Sequence, residues 1–120
     1  MAQVFKGSDY TVRNRNSMEI VVFDEKDERS TLHVYTPTKK VYDELQEVAG
    51  FIDRYIEGEE LGSDDIDACF EFTASAMSHN KEGRKITAET LESWKFDMED
   101  VGTFISDYIL FLEFLVEGKN

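Results

Sequence analysis

The segment from Val101 to Val116 constrains this chain most, because its second half is almost entirely apolar. Between Tyr108 and Val116 the only polar residue is Glu113. A helix that packs on a single core needs only one apolar stripe. A helix that is apolar nearly all the way round must either be buried on all sides or keep a second apolar face for another chain. We therefore expect this segment to bind protein.

The spacing of the apolar residues divides this predicted helix into two faces. The stripe that we expect to face the core contains Val101, Phe104, Ile105, Tyr108, Leu112 and Leu115. Outside that stripe we predict four residues that contact a partner or a second copy of the chain: Ile109, Phe111, Phe114 and Val116. The alternative is that these side chains belong to the core, since aromatic residues are often buried.

The charge of the chain is uneven along its length. Residues 1–40 contain seven Lys or Arg and six Asp or Glu, whereas residues 41–120 contain six and twenty, which gives the second part a net charge of -14. Such a surface should repel nucleic acid and acidic lipid, because both are bound mainly through basic side chains. It keeps an apolar protein in solution, and it could also match a basic partner. We expect neither a nucleic-acid partner nor a membrane partner.

The first part of the chain is predicted to form a β-hairpin. Two short runs favour strands, residues 18–23 and 32–35, and a polar turn at residues 24–30 separates them. Residues 10–12 could add a third strand. Pro37, the only proline, ends this part of the chain.

After Pro37 the apolar spacing changes to three and four residues, which predicts helices. We expect a helix from Thr38 to Glu57 that ends at Gly58, a second that Ser63 caps, a third that Thr87 caps and a fourth that Asp97 caps. The predicted fold is α+β and mostly helical, with a short N-terminal β-hairpin (residues 1–36) followed by a three- to four-helix bundle (residues 37–120) in a single domain.

Nothing in the sequence indicates catalysis, a cofactor or a metal. The two histidines, His33 and His79, each lack a second histidine three or four residues away. The single cysteine, Cys69, excludes an internal disulfide and lies on the apolar side of its predicted helix without a basic neighbour. No glycine-rich phosphate-binding pattern occurs. We expect a protein that is not an enzyme, in a reducing compartment, with no leader peptide.

Residues 35–114 resemble the tail assembly chaperones of long-tailed (siphovirus-type) bacteriophages. The most similar part runs from Met77 through the loop Asn80–Lys85 (Asn-Lys-Glu-Gly-Arg-Lys) to the short helix that follows Thr87. The segment Phe96–Val101 and the aromatic helix that ends at Phe114 continue the resemblance. The family pattern is a helix, a basic loop, a short Thr-capped helix and a final aromatic helix.

The resemblance implies a function in assembly rather than in chemistry. Such chaperones bind the tape measure protein and tail-tube subunits while the viral tail is assembled, and they are absent from the mature virion. The implied location is the cytoplasm of the host cell. The same apolar face could also join copies of the chaperone to one another. Many members are made in two lengths by a programmed frameshift. The final residues Gly118, Lys119 and Asn120 could be encoded by a slippery sequence, so we expect this chain to be the short form.

A second function from another class uses the same acidity differently. A small acidic protein can mimic DNA and inhibit a host nuclease or restriction enzyme. Mimicry requires carboxylates in rows that are spaced like phosphates, whereas many acids of this sequence are found at predicted helix starts, as at Asp64, Asp65 and Asp67. Inhibition of a DNA-binding enzyme would distinguish this function from that of a chaperone.

Overall fold

The computed structural model describes residues 16–117. A β-hairpin comes first, formed by β1 (Ser17–Phe23) and β2 (Arg29–Tyr35). Four helices follow: α1 (Lys39–Ile56), α2 (Ser63–Ser78), α3 (Ala88–Ser93) and α4 (Met98–Glu117). The predicted fold class, α+β and mostly helical with an N-terminal hairpin, is confirmed. The predicted third strand at residues 10–12 and the proposed frameshift position at residues 118–120 lie outside the described residues.

The hairpin is antiparallel, and Ile20 of β1 lies opposite Leu32 of β2. Its turn is organised by Asp24, whose carboxylate accepts hydrogen bonds from the backbone N–H groups of Lys26 (2.8 Å) and Glu28 (2.9 Å). Asp27 takes a positive φ of 59°, a conformation that Asp tolerates better than most residues. The acidic residues of this segment therefore make a turn, which agrees with the sequence prediction.

The far edge of β2 is closed by the segment that follows α2. The Tyr35 N–H donates to the His79 carbonyl (2.9 Å), and the Lys81 N–H donates to the His33 carbonyl (2.9 Å). These bonds, with the bridge between Val34 and Asn80, attach the hairpin to the helical part. The inward side chains Leu32 and Val34 are fully buried, so hairpin and helices share one core.

Helix α1 begins and ends as the sequence predicts. The Thr38 hydroxyl accepts a hydrogen bond from the Val41 N–H (3.4 Å), and Gly58 follows the helix with a φ of 91°, which is readily available only to glycine. Gly50 lies inside the helix, and a Cβ at this position would have no described atom within 4 Å. Close packing against a neighbouring helix therefore does not account for Gly50.

Helix α2 differs from its prediction at two points. Ser63 is its first helical residue rather than its cap, because the Gly62 carbonyl already accepts the first helical hydrogen bond, from Ile66 (3.1 Å). The spacing of Ile66, Phe70, Thr73 and Met77 predicts a single inward stripe. Phe72 and Ala74 are buried as well. Helix α2 contacts α1, α3, α4 and β2, so most of its circumference is covered.

Helices α3 and α4 both begin with the predicted caps. Thr87 and Thr90 form a reciprocal capping box at α3. At α4 the Asp97 carboxylate accepts from the Asp100 N–H (2.9 Å), and the Asp100 carboxylate accepts from the Asp97 N–H (2.9 Å). The Asp100 N–H bond lowers the pKa of Asp97, because it favours the charged carboxylate.

Candidate protein-binding surface

The first half of α4 is fixed in the core by aromatic packing around Tyr108. This side chain is fully buried, its ring lies 5.4 Å from that of Phe104 and 6.3 Å from that of Phe72, and its hydroxyl donates to the Tyr35 carbonyl (3.3 Å). Burial raises the pKa of Tyr108 well above its ordinary value, because the phenolate would be desolvated. The helix is thereby held against both α2 and the hairpin.

The second half of α4 presents large apolar side chains to solvent. Leu110 is 60% exposed, Phe114 is 70% exposed and Val116 is 69% exposed. Leu110 and Phe114 are four residues apart and lie on one face of the helix, opposite the buried stripe. We call Leu110, Phe114 and Val116 the apolar end of α4. Two of the four sequence-predicted contact residues, Phe114 and Val116, belong to it.

The other two predicted residues lie at the border of the core. Ile109 and Phe111 are half-buried and pack against the core residues. The Phe111 ring lies 6.4 Å from the ring of Tyr108. A partner could reach only part of each of these side chains, and a substitution of either one would change packing as well as any binding.

Leu110 is the exposed residue that the sequence reasoning missed. Neither the predicted core stripe nor the predicted contact set contains it. The sequence could have indicated its exposure. Leu110 follows the core residue Tyr108 by two positions, which is a rotation of 200° and places it on the far side of the helix. The spacing to Phe114 then indicates a continuous exposed row.

A shallow apolar cleft adjoins this row where α1 ends against α4. Its lining residues are Ile52, Tyr55, Ile56, Glu99, Gly102, Thr103, Ser106 and Asp107. Ile56 is largely exposed, and Tyr55 is partly exposed. Leu110 lies one helical turn after Ser106 and Asp107. The apolar surface of α4 is therefore extended toward the end of α1.

The loop Asn80–Lys85, which carries much of the family resemblance, is built around one buried side chain. The Asn80 amide donates to the carbonyls of Met77 (2.7 Å) and Arg84 (2.8 Å), and its oxygen accepts from the Arg84 N–H (3.0 Å). Gly83 takes a φ of 71°, and the Arg84 guanidinium lies 5.5 Å from the centre of the Trp94 ring. These contacts give the loop a role in joining α2 to α3.

The Cys69 thiol and the His, Asp and Glu side chains are the groups that could react or bind a metal. Cys69 is buried. Its burial, which is the larger cause, and the nearby Asp65 carboxylate raise the pKa of its thiol to about 11. In residues 16–117 no group of three or more His, Cys, Asp or Glu side chains could hold a metal ion. Over the same residues, no helix has both the length and the hydropathy to span a membrane.

Comparison with known proteins leaves the geometry as the main guide to function. No protein-family model, no curated protein and no solved structure matches this chain.

Proposed function

We propose that this chain is a tail assembly chaperone of a long-tailed bacteriophage, and that it binds the tape measure protein and tail-tube subunits without catalysing a reaction. The observation that carries the proposal is the exposed apolar end of α4 in a chain with a net charge of -13. The resemblance of residues 35–114 to that family supports the choice of client. The proposed location is the host cytoplasm, with the protein absent from the mature virion.

The apolar end of α4 has the character of a docking face for a helical client. Fully burying a large apolar side chain contributes about 1.5 to 3 kcal/mol, so Leu110 or Phe114 would each contribute about 1 to 2 kcal/mol when covered, given their exposure. The exposed carboxylates of Asp107 and Glu113 lie beside them on α4. Carboxylates at a rim favour basic clients and keep the complex soluble.

The proposal is tested by co-purification with the client. The tagged full chain is produced together with a very long helical protein encoded beside it, and the retained client is quantified. Phe114→Asp and Leu110→Asp should each reduce client binding at least about tenfold, since the lost burial is about 1 to 2 kcal/mol and a buried carboxylate adds a further cost. Retention that these variants do not change would contradict the proposal.

A matched control separates binding from a general effect of a new charge. Tyr42 is 62% exposed on α1, so Tyr42→Asp makes the same kind of change outside α4 and should leave client retention unchanged. All variants should keep the far-UV circular dichroism spectrum of the original chain. Phe111→Asp is a poorer test, because Phe111 packs on Tyr108. The DNA-mimic function stays a prediction that an enzyme-inhibition assay would test.

A further inference from the structure

The outer edge of β1 is open in the described part of the chain. The sheet of residues 16–117 contains β1 and β2 only. The Asp24 N–H donates across the hairpin to the Glu28 carbonyl (3.1 Å). Because backbone groups alternate in direction along an antiparallel pair, the N–H and C=O groups of Glu19, Val21 and Phe23 point away from β2.

Hydrogen bonds at the opposite edge of the sheet, on β2, support the same assignment of backbone directions. His33 and Tyr35 use their outward backbone groups to bond residues 79 and 81. Their register partners on β1 are Glu19 and Ser17, so these two residues direct their backbone groups to the other side. A row of alternate donors and acceptors on a strand edge is a template for one more strand.

A groove of about 430 Å³ runs between this edge and α4. Its apolar side chains include the buried Met77 and Phe104 and the half-buried Phe96. Four carboxylates also line it, and no Lys or Arg does: Glu19, Glu99, Asp100 and Asp107. Outside the lining, the His33 ring lies 3.6 Å from the Glu19 carboxylate. The groove therefore combines a strand edge, an apolar floor and a negative rim without Lys or Arg.

We propose that this groove binds an extended segment of a partner protein, in which apolar residues alternate with Lys or Arg, as an added strand on β1. Successive side chains of a strand point to opposite sides. One set covers the apolar floor, and the other set lies on the side of the exposed Glu19. The carboxylates of Glu99, Asp100 and Asp107 line the same groove and add to its negative potential. Charge complementarity selects a basic segment over an acidic one. This site shares Asp107 with the carboxylates beside the apolar end of α4, but its strand edge and apolar floor are formed by other residues, and it does not depend on the proposed function.

The probe is a capped peptide in which three valines alternate with four lysines, added to the full-length chain. Binding is followed by amide hydrogen exchange and by NMR shifts of the β1 amides. We expect slower exchange at Glu19, Val21 and Phe23 when the peptide is present. A peptide with glutamate in place of lysine should not bind, and added salt should weaken binding by the lysine peptide, because the carboxylates are exposed.

Two N-methylated peptides distinguish strand addition from general charge attraction. One carries N-methyl groups on the lysines and the other on the valines, so each blocks a different edge of the peptide strand. Only one edge can pair with β1, so one methylated peptide should bind about as well as the parent and the other should not bind. Equal binding by both would overturn the proposal.

Substitutions in the chain provide the second arm. Glu99→Lys and Asp107→Lys should each weaken binding by about two- to fivefold, because each reverses a charge that lines the groove and one exposed charge contributes little to affinity. Glu47→Lys, at an exposed carboxylate of α1 outside the groove, is the matched control and should not affect binding beyond its change in net charge. Equal losses in all three variants would overturn the proposal. So would protection of the Val21 and Phe23 amides before any peptide is added, because residues 1–15 of the chain would then hold the edge.

Discussion

Replacement of Asn80 by Ala should destabilise the protein by about 3 kcal/mol. The Asn80 side chain is buried and makes three hydrogen bonds to backbone groups of Met77 and Arg84. Each hydrogen bond contributes about 1 kcal/mol net, and a buried polar group that is left without a partner adds to the cost. A domain of this size is stable by about 5 to 15 kcal/mol, so the variant should still fold and its loss should be measurable.

Asn80→Asp tests the assigned directions of these hydrogen bonds more sharply than Asn80→Ala does. The aspartate keeps one oxygen for the Arg84 N–H, but it places its second oxygen against two carbonyls that now accept at 2.7 and 2.8 Å. A buried carboxylate facing carbonyl oxygens is unfavourable, so at pH 7 this variant should be at least as unstable as Asn80→Ala. Acid should relieve part of its deficit, because the protonated carboxyl can donate to one carbonyl.

Urea unfolding followed by fluorescence measures both variants. Trp94 is the only tryptophan and contacts Arg84 of the same loop, so its emission should report loss of this structure. The free energy of unfolding is taken from the transition midpoint and slope. A loss below about 0.5 kcal/mol for Asn80→Ala, the range of ordinary surface substitutions, would refute the structural role of this side chain. A smaller loss for Asn80→Asp than for Asn80→Ala at pH 7 would refute the assigned donor directions.

Three further predictions follow from other positions. Gly50→Ala should raise the free energy of unfolding by about 0.5 to 1 kcal/mol in a urea titration, because the position is helical and has room for a methyl group; destabilisation would contradict this reading. The Cys69 thiol, whose pKa is raised to about 11, should not react with a thiol reagent at pH 8 until the chain is unfolded, and fast reaction in the native state would show that it is accessible. Burial raises the pKa of Glu82, but hydrogen bonds from the His33 ring and N–H outweigh this, so its pKa is lowered below 4.5. Its contribution to stability should be present above pH 4.5 and be lost as the pH falls through the lowered pKa, and Glu82→Gln, compared by acid titration of unfolding, should remove that part of the acid dependence.

The secondary structure was predictable where local chemistry determines it. The turn at Asp24, the Thr38 cap and the stop at Gly58 all depend on residues that are adjacent in sequence. The Ser63 cap was wrong by one residue, because both Gly62 and Ser63 are acceptable at a helix start. A local sequence pattern cannot decide which of two adjacent acceptable residues is the N-cap, because packing against the rest of the fold determines where the helix begins.

The packing of individual faces required the three-dimensional structure. Phe72 is buried because α2 has neighbours on most of its circumference, which a single-stripe pattern does not anticipate. The division of α4 into a core half and an exposed end depends on where its neighbours end. Thus Phe114 and Val116 could be named from the sequence, whereas Leu110 was missed, and Phe111 is half-buried, between the contact position predicted for it and the core alternative. The groove beside β1 joins residues about 80 positions apart, such as Glu19 and Glu99, which no local spacing indicates.

The apolar end of α4 could bind a second copy of the chain or a basic client, and the net charge of the chain affects these two associations in opposite ways. Two copies, each with a net charge of -13, repel one another, whereas a basic client is attracted to Asp107 and Glu113. Salt screens both effects, with a screening length of about 10 Å at 0.1 M. Raising the salt concentration should therefore strengthen self-association, seen as a larger sedimentation coefficient, and weaken client binding in the same range. If both rose with salt, apolar burial alone would govern the surface and the carboxylates would have no part in choosing the partner.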